Sequence, residues 1–265
     1  MPARPRVSVV QYLNTAPLVW GMLHGDERDR FDLSFTTPAH CAEDLKAARA
    51  DIGIIPSIEY QRIDGLRVLP SVSIASKNRV RSVLLLSRVS LEAARSVALD
   101  TSSRTSAALV EVLLRKFYAI DFRAIPCAPD PASMLRTAEA ALVIGDPALV
   151  YRGEARVFDL AEEWRKFTGL PFVFAVWACR AAPGLDLESL SCDFAHSRDE
   201  GLAHVNEIAA EYAPRLGMTA PELRIYLTEN IDYTLDEENL AGLRLFYRLA
   251  REVGAIPAVK DLAFV

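Results

Sequence analysis

Val97-Ala98-Leu99-Asp100-Thr101-Ser102-Ser103-Arg104-Thr105-Ser106-Ala107-Ala108-Leu109-Val110 is the stretch on which the fold turns. A short apolar run gives way to a polar turn of the kind that starts helices. Apolar positions then recur at Ala107, Val110, Leu113, Leu114 and Phe117, the spacing of one helical face. The same order of events opens the chain. Val7 to Gln11 is β-branched, Asn14 and Thr15 can cap a helix starting near Ala16, and Pro17 is tolerated early in it. Phe31 to Thr36 and Ile52 to Ile55 complete a first set of strands, and Phe122 to Pro126 and Ala141 to Ile144 complete a second. Thr37-Pro38 opens a helix between the first set's strands, and Pro131 to Thr137 forms one in the second. Strands that are apolar on both faces suit a sheet covered by helices on both sides. Two such sets, before and after about residue 90, make an α/β chain with two lobes.

Working outward, Leu66 to Leu69, Val72 to Ala75, Val83 to Ser87 and Phe172 to Cys179 read as further strands, with those at 83–87 and 172–179 crossing between lobes. A helix from Leu160 to Phe167 ends at Gly169 and Pro171. After Pro183-Gly184 the pattern becomes helical to Val253. The expected division is therefore residues 1–87 with 178–265 as one lobe, including C-terminal helices, and 88–177 as the other, with a cleft between them.

Composition removes several classes of function. The 265 residues are 51% hydrophobic and 25% charged, enough for a sizeable core. The formal net charge is -5, with basic residues scattered among acids, which argues against a nucleic-acid partner. No window is apolar for long enough to span a bilayer, so no membrane partner is expected. The apolar run after the basic opening residues stops at Gln11 and Asn14, too soon for a secretory signal, and the expected compartment is the cytosol. Cys41, Cys127, Cys179 and Cys192 are widely separated and form no zinc-ligand spacing, so neither a metal nor a disulfide framework is expected. Glycine-rich phosphate loops and the motifs of serine and zinc hydrolases are absent, and the four histidines have no catalytic company. No cofactor is implied.

Four turns carry the chemistry that remains: Asn14-Thr15, Pro56-Ser57, Thr101 to Ser106 and Gly145-Asp146. Each stands where a strand ends and a helix begins, so unpaired N–H groups and hydroxyls could converge on one cleft and hold a small carboxylate or phosphate. Taken singly, each reads first as a helix cap.

The chain resembles a specific family in Tyr12-Leu13-Asn14-Thr15-Ala16-Pro17-Leu18, Gly53 to Tyr60, Arg81-Ser82-Val83, Thr101 to Ser106, Ile144-Gly145-Asp146, and Glu163-Trp164 with Thr168 to Ala175. In that order these blocks are similar to the chorismate dehydratases that begin the futalosine route to menaquinone. The resemblance implies the two-lobed fold of type II periplasmic solute-binding proteins, used as a cytosolic enzyme without a cofactor. It implies conversion of chorismate to 3-[(1-carboxyvinyl)oxy]benzoate and water, with the substrate's enolpyruvyl carboxylate taking the C3 proton. On this basis Asn14 is expected to contact the departing hydroxyl. Thr15, Ser57, Ser82, Ser103, Arg104, Thr105, Ser106, Gly145 and Asp146 are expected around the substrate. An anion at Asp146 beside a dianion is unfavourable unless protonated or paired, so a turn-forming or lobe-bracing role competes there. Glu59 reads as a structural hydrogen-bonding residue, and Trp164 and Phe172 to Phe174 as core rather than as a ligand platform. The competing functions are a non-catalytic solute-binding or sensory protein and the sister 1,4-dihydroxy-6-naphthoate synthase, which relies on a histidine with no counterpart here. Oligomeric state is left open.

Overall fold

The computed structural model describes residues 4–180 and 186–265, so the expected turn at Pro183-Gly184 lies outside the described residues. Along the chain, β1 (Arg6–Val10) leads through a 3-10 helical stretch (Leu13–Val19) into α1 (Trp20–His24), then β2 (Asp32–Thr36), α2 (Pro38–Lys46), β3 (Ile52–Pro56), α3 (Ser57–Arg62) and β4 (Leu66–Ser76). β5 (Val83–Ser87), β6 (Ser96–Asp100), α4 (Arg104–Val112), β7 (Arg123–Cys127), α5 (Pro131–Thr137), β8 (Ala140–Ile144), α6 (Gly145–Leu149), β9 (Arg156–Asp159) and α7 (Leu160–Thr168) follow. β10 (Phe172–Arg180) precedes four helices, α8 (Leu187–Ala203), α9 (Val205–Leu216), α10 (Ala220–Ile225) and α11 (Glu237–Glu252).

Two five-stranded sheets result, β2-β1-β3-β10-β4 and β7-β6-β8-β5-β9. Their designs match. In each, three strands run parallel and a fourth enters antiparallel to both of its neighbours: β10 between β3 and β4, and β5 between β8 and β9. This corrects the expected boundaries, since β5 pairs Val83 with Ile144 and belongs to the second sheet, while β10 pairs Ala175 with Pro56 and belongs to the first. The chain therefore crosses earlier than expected, between Ser76 and Val83 and again between Thr168 and Phe172. Apolarity on both faces shows that a strand is central without showing whose centre it occupies.

The side-chain period of two is visible in β5. Val83 and Leu85 join the main core, whereas Leu84 and Leu86 pack with Met134, Ala141 and Val143 on the other face. The two expected strands at 66–69 and 72–75 are one strand, β4, with Ser71 at φ 67° where its pairing with β10 shifts register. Trp164 is fully buried, meets Phe172 edge-on at 5.3 Å and donates from Nε1 to Pro171 O at 3.0 Å, which ties α7 to the second crossing. α11 lies over β10 and against α4, so the C-terminal segment touches elements of both lobes.

Candidate active site

β1, β3, β6 and β8 all end toward the gap between the sheets, and the turn after each contributes to one hollow of about 480 Å³. Tyr12 and Asn14 come from the first turn, Pro56 from the second, Ser103, Thr105 and Ser106 from the third, and Gly145 from the fourth. Ser82 enters at the first crossing, and Phe174 and Ala175 of β10 form an apolar wall. Among the described residues, no charged side chain lines this space.

Asn14 does not cap a helix. The helical turn begins one residue earlier, at Leu13, with no side chain capping it from Tyr12, and Asn14 rides on that first turn. The Thr15 hydroxyl donates to Asn14 Oδ1 at 3.3 Å, which leaves the amide nitrogen as the group to be directed elsewhere. Thr15 itself faces a neighbouring hollow of about 600 Å³ on the far side of Tyr12, so it reaches the central one only through Asn14. Ser82 is buried and accepts from the Tyr226 hydroxyl at 2.8 Å, with Asn14 beside the same phenol. Burial pushes the Tyr226 pKa up, so the phenol keeps its proton and remains a donor.

The start of α4 is open. Ser103 precedes it without a side-chain cap, and the first internal bond runs from Ala107 N to Ser103 O at 3.1 Å. The N–H groups of Arg104, Thr105 and Ser106 thus have no partner within the helix, beside the hydroxyls of Ser103 and Ser106. Thr105 Oγ1 has a structural task as well, since it accepts from Ile58 N at 3.1 Å across the lobes.

Gly145 sits at φ 64°, and a Cβ there would stand 2.7 Å from the Tyr12 ring. It lets the second lobe's turn pack directly against the Tyr12 ring. Asp146 is not on the wall. Its Oδ1 accepts from Leu13 N at 3.0 Å, joining the second lobe to the first helical turn of the other. Burial raises its pKa to about 6, against the pull of the Leu13 N–H.

Four residues expected around the substrate do not line this hollow: Thr15, Asp146, Arg104 and Ser57. Arg104 donates to Glu59 Oε2 at 2.8 Å and to Glu43 Oε1 at 2.5 Å, and it borders a separate hollow with Arg62. Glu59 is buried and holds Arg62 at 2.8 Å as well, so two acids of the first lobe have claimed the guanidinium. Ser57 is fully buried, donates to Val173 O at 2.8 Å and does not reach the hollow. The placements of Arg104 and Ser57 follow from helix geometry, since neighbouring residues at a helix start point roughly 100° apart. Tyr12, Tyr226, Phe174 and Ala175 were not assigned to the site by sequence reasoning, and Phe174, read as core, lines the hollow. Tyr12 lay inside a quoted motif, and Tyr226 in the C-terminal helices, where apolar spacing explained it equally well.

Two mixed sheets of one design, facing each other across a hollow at their strand ends and joined by two crossings, define a protein of the type II periplasmic-binding-protein-like class. The solved structures it resembles agree. A crystal structure of a protein from Archaeoglobus fulgidus superimposes with a TM-score of 0.77 at 20% identity, covering 96% of this chain and 98% of that one. The periplasmic aliphatic sulphonate binding protein of Escherichia coli does so with a TM-score of 0.64 at 16% identity, covering 100% of this chain and 94% of that one.

The chain belongs to the menaquinone biosynthesis family, whose model matches residues 5–252. A relative from Thermus thermophilus, named chorismate dehydratase, is 32% identical over 92% of this chain and 94% of its own length. A Campylobacter jejuni relative of the same name is 27% identical over 81% of each chain.

Proposed function

We propose that the protein is a chorismate dehydratase, a carbon–oxygen hydro-lyase of the cytosol that converts chorismate to 3-[(1-carboxyvinyl)oxy]benzoate and water. The observation that carries this reading is the Asn14 amide on one wall of an uncharged hollow whose other wall includes the open start of α4. The identity and coverage of the dehydratase relatives support it.

Chorismate carries two carboxylates, a C3 hydrogen beside the enolpyruvyl ether and a hydroxyl at C4. Loss of the C3 proton and the C4 hydroxyl makes the ring aromatic, so the protein's task is to bind, orient and support the departing oxygen. The α4 start, with Ser103 and Ser106, receives one carboxylate through N–H groups and hydroxyls. Phe174, Ala175 and Tyr12 hold the ring against apolar surface. Asn14, oriented by Thr15 and backed by Tyr226 and Ser82, donates to the leaving hydroxyl. The proton from C3 passes to the substrate's enolpyruvyl carboxylate, and with the released hydroxide it accounts for the water formed. Asp146 braces the lobes and takes no proton from carbon.

Purified protein mixed with chorismate and followed by chromatography tests this directly. A new enolpyruvyl-benzoate peak is the expected result. Tight binding with chorismate unchanged would instead mark a solute-binding protein.

A further inference from the structure

The segment that carries Asn14 is held from behind by α8. Ser197 Oγ donates to Leu18 O at 3.0 Å and accepts from Met22 N at 3.3 Å. One turn to either side of this contact is a concentration of acid that the proposed reaction does not use. Glu27 is 2% exposed, yet only one of its carboxylate oxygens is engaged, Oε1 with His196 Nδ1 at 2.8 Å. Glu27 Oε2 and Glu200 Oε2 are both buried without a hydrogen-bond partner. They face the same point, because a Cβ added to Gly21 would collide with both. A ligand atom from each of Asp26, His196 and Glu200 also lies within 4.8 Å of the others.

Buried carboxylate oxygens are hydrogen-bonded, paired with a cation or protonated. Among the described residues, no lysine or arginine lies within ion-pair distance of Asp26, Glu27 or Glu200: Arg28 adjoins Glu27 without such a contact, Arg30 is held by Asp193 at 2.7 Å and Arg198 by Asp199 at 2.8 Å. One imidazole among several carboxylates suits a divalent first-row ion such as zinc.

We infer that Asp26, His196 and Glu200, with Glu27 orienting His196 through Nδ1, form a binding site for one divalent transition-metal ion, which clamps the α1 end of the Asn14 segment to α8. The Asn14 assignment rests on the function proposed above; the ion site does not. His196 and Glu200 lie four residues apart on one face of α8, and Asp26 and Glu27 come from the turn after α1, so the ion closes a loop between two elements far apart in sequence.

The test uses chelator-treated full-length protein titrated with zinc chloride, read by calorimetry and by thermal melting. One equivalent should bind, and Tm should rise by about 5–10 °C at a free concentration near 100 times Kd. Glu27→Gln and Glu200→Gln should each weaken binding at least tenfold while melting, without zinc, no lower than the parent, because each removes a buried negative charge. That stability comparison shows that the variants are folded. Zinc binding unchanged in both variants would overturn the proposal by locating the ion elsewhere. So would absence of binding at about 100 µM zinc, with a Tm that rises on acidification instead, which would mean that the two glutamates share a proton. Neither result depends on turnover of chorismate, so failure here leaves the dehydratase reading standing, and the reverse holds too.

Discussion

Two helical starts face one hollow from opposite lobes, and they are treated differently. The turn beginning at Leu13 receives an acid from the other lobe, since Asp146 Oδ1 accepts its first N–H at 3.0 Å. The start of α4 receives none. A helix start attracts negative charge through its unpaired N–H groups and partial positive end. Where the chain supplies the charge itself, the start becomes a brace. Where it supplies none in an otherwise uncharged space, the start is available to an anion from outside. The difference separates lobe-holding groups from substrate-holding ones without any appeal to a cationic side chain.

Breaking the substrate side should have the largest effect. Asn14→Ala should lower kcat roughly 100- to 1000-fold with a much smaller change in KM, as expected for a donor aimed at the departing oxygen. Equal losses in kcat and in binding, from steady-state kinetics and chorismate titration, would make Asn14 a general binding residue. Gly145→Ala attacks the close contact between Gly145 and Tyr12. It combines a disfavoured φ with a clash against Tyr12 and should cost about 1–3 kcal/mol in denaturant unfolding. A variant as stable as the parent would show that the Tyr12 ring moves freely.

The brace can be examined through pH. Asp146 has its folded pKa raised to about 6 from 3.8, so between these values the folded chain binds more protons than the unfolded chain at this site. Its contribution to stability is therefore lost as pH rises through that window. Asp146→Asn, whose amide oxygen can still accept from Leu13, should remove that slope. The variant should melt close to the parent near pH 4 and above it at pH 7, by about 1–2 kcal/mol, in a series of thermal melts. Identical slopes would place the titration elsewhere. Arg104→Gln should change least in turnover, within about threefold in kcat/KM, because Glu59 and Glu43 hold the guanidinium away from the hollow. Its stability loss should be about 1 kcal/mol, since Glu59 retains Arg62. A tenfold rise in KM would return Arg104 to the substrate side.

Much of this arrangement was legible before any coordinates. Strand-to-turn-to-helix punctuation located β1, β3, β6 and β8, and the polar turns after them do meet at one hollow. What the residues did not disclose was direction. Arg104 and Ser57 stand in the right turns, but their side chains point to partners 45 and 116 positions away. Tyr226 meets Ser82 across 144 positions, a contact that no local pattern encodes. Strand membership was hidden for the same reason, since β5 and β10 have apolar character that suits either sheet. Local signals fix where the chain turns, and long-range pairing decides what each turn faces.

The placement of β10 has a consequence for how the molecule is made. The second sheet is drawn from one unbroken run of chain, β5 to β9, whereas the middle of the first waits for a strand that emerges after all of them. At about 5–20 residues per second, ribosomal delivery leaves the facing edges of β3 and β4 unpaired for several seconds, a period in which exposed edges invite association with other nascent chains. A chain terminated after residue 171 should accordingly resist limited proteolysis over 83–159 while residues 4–76 remain digestible. Equal protection of both stretches would mean that the first sheet closes without β10.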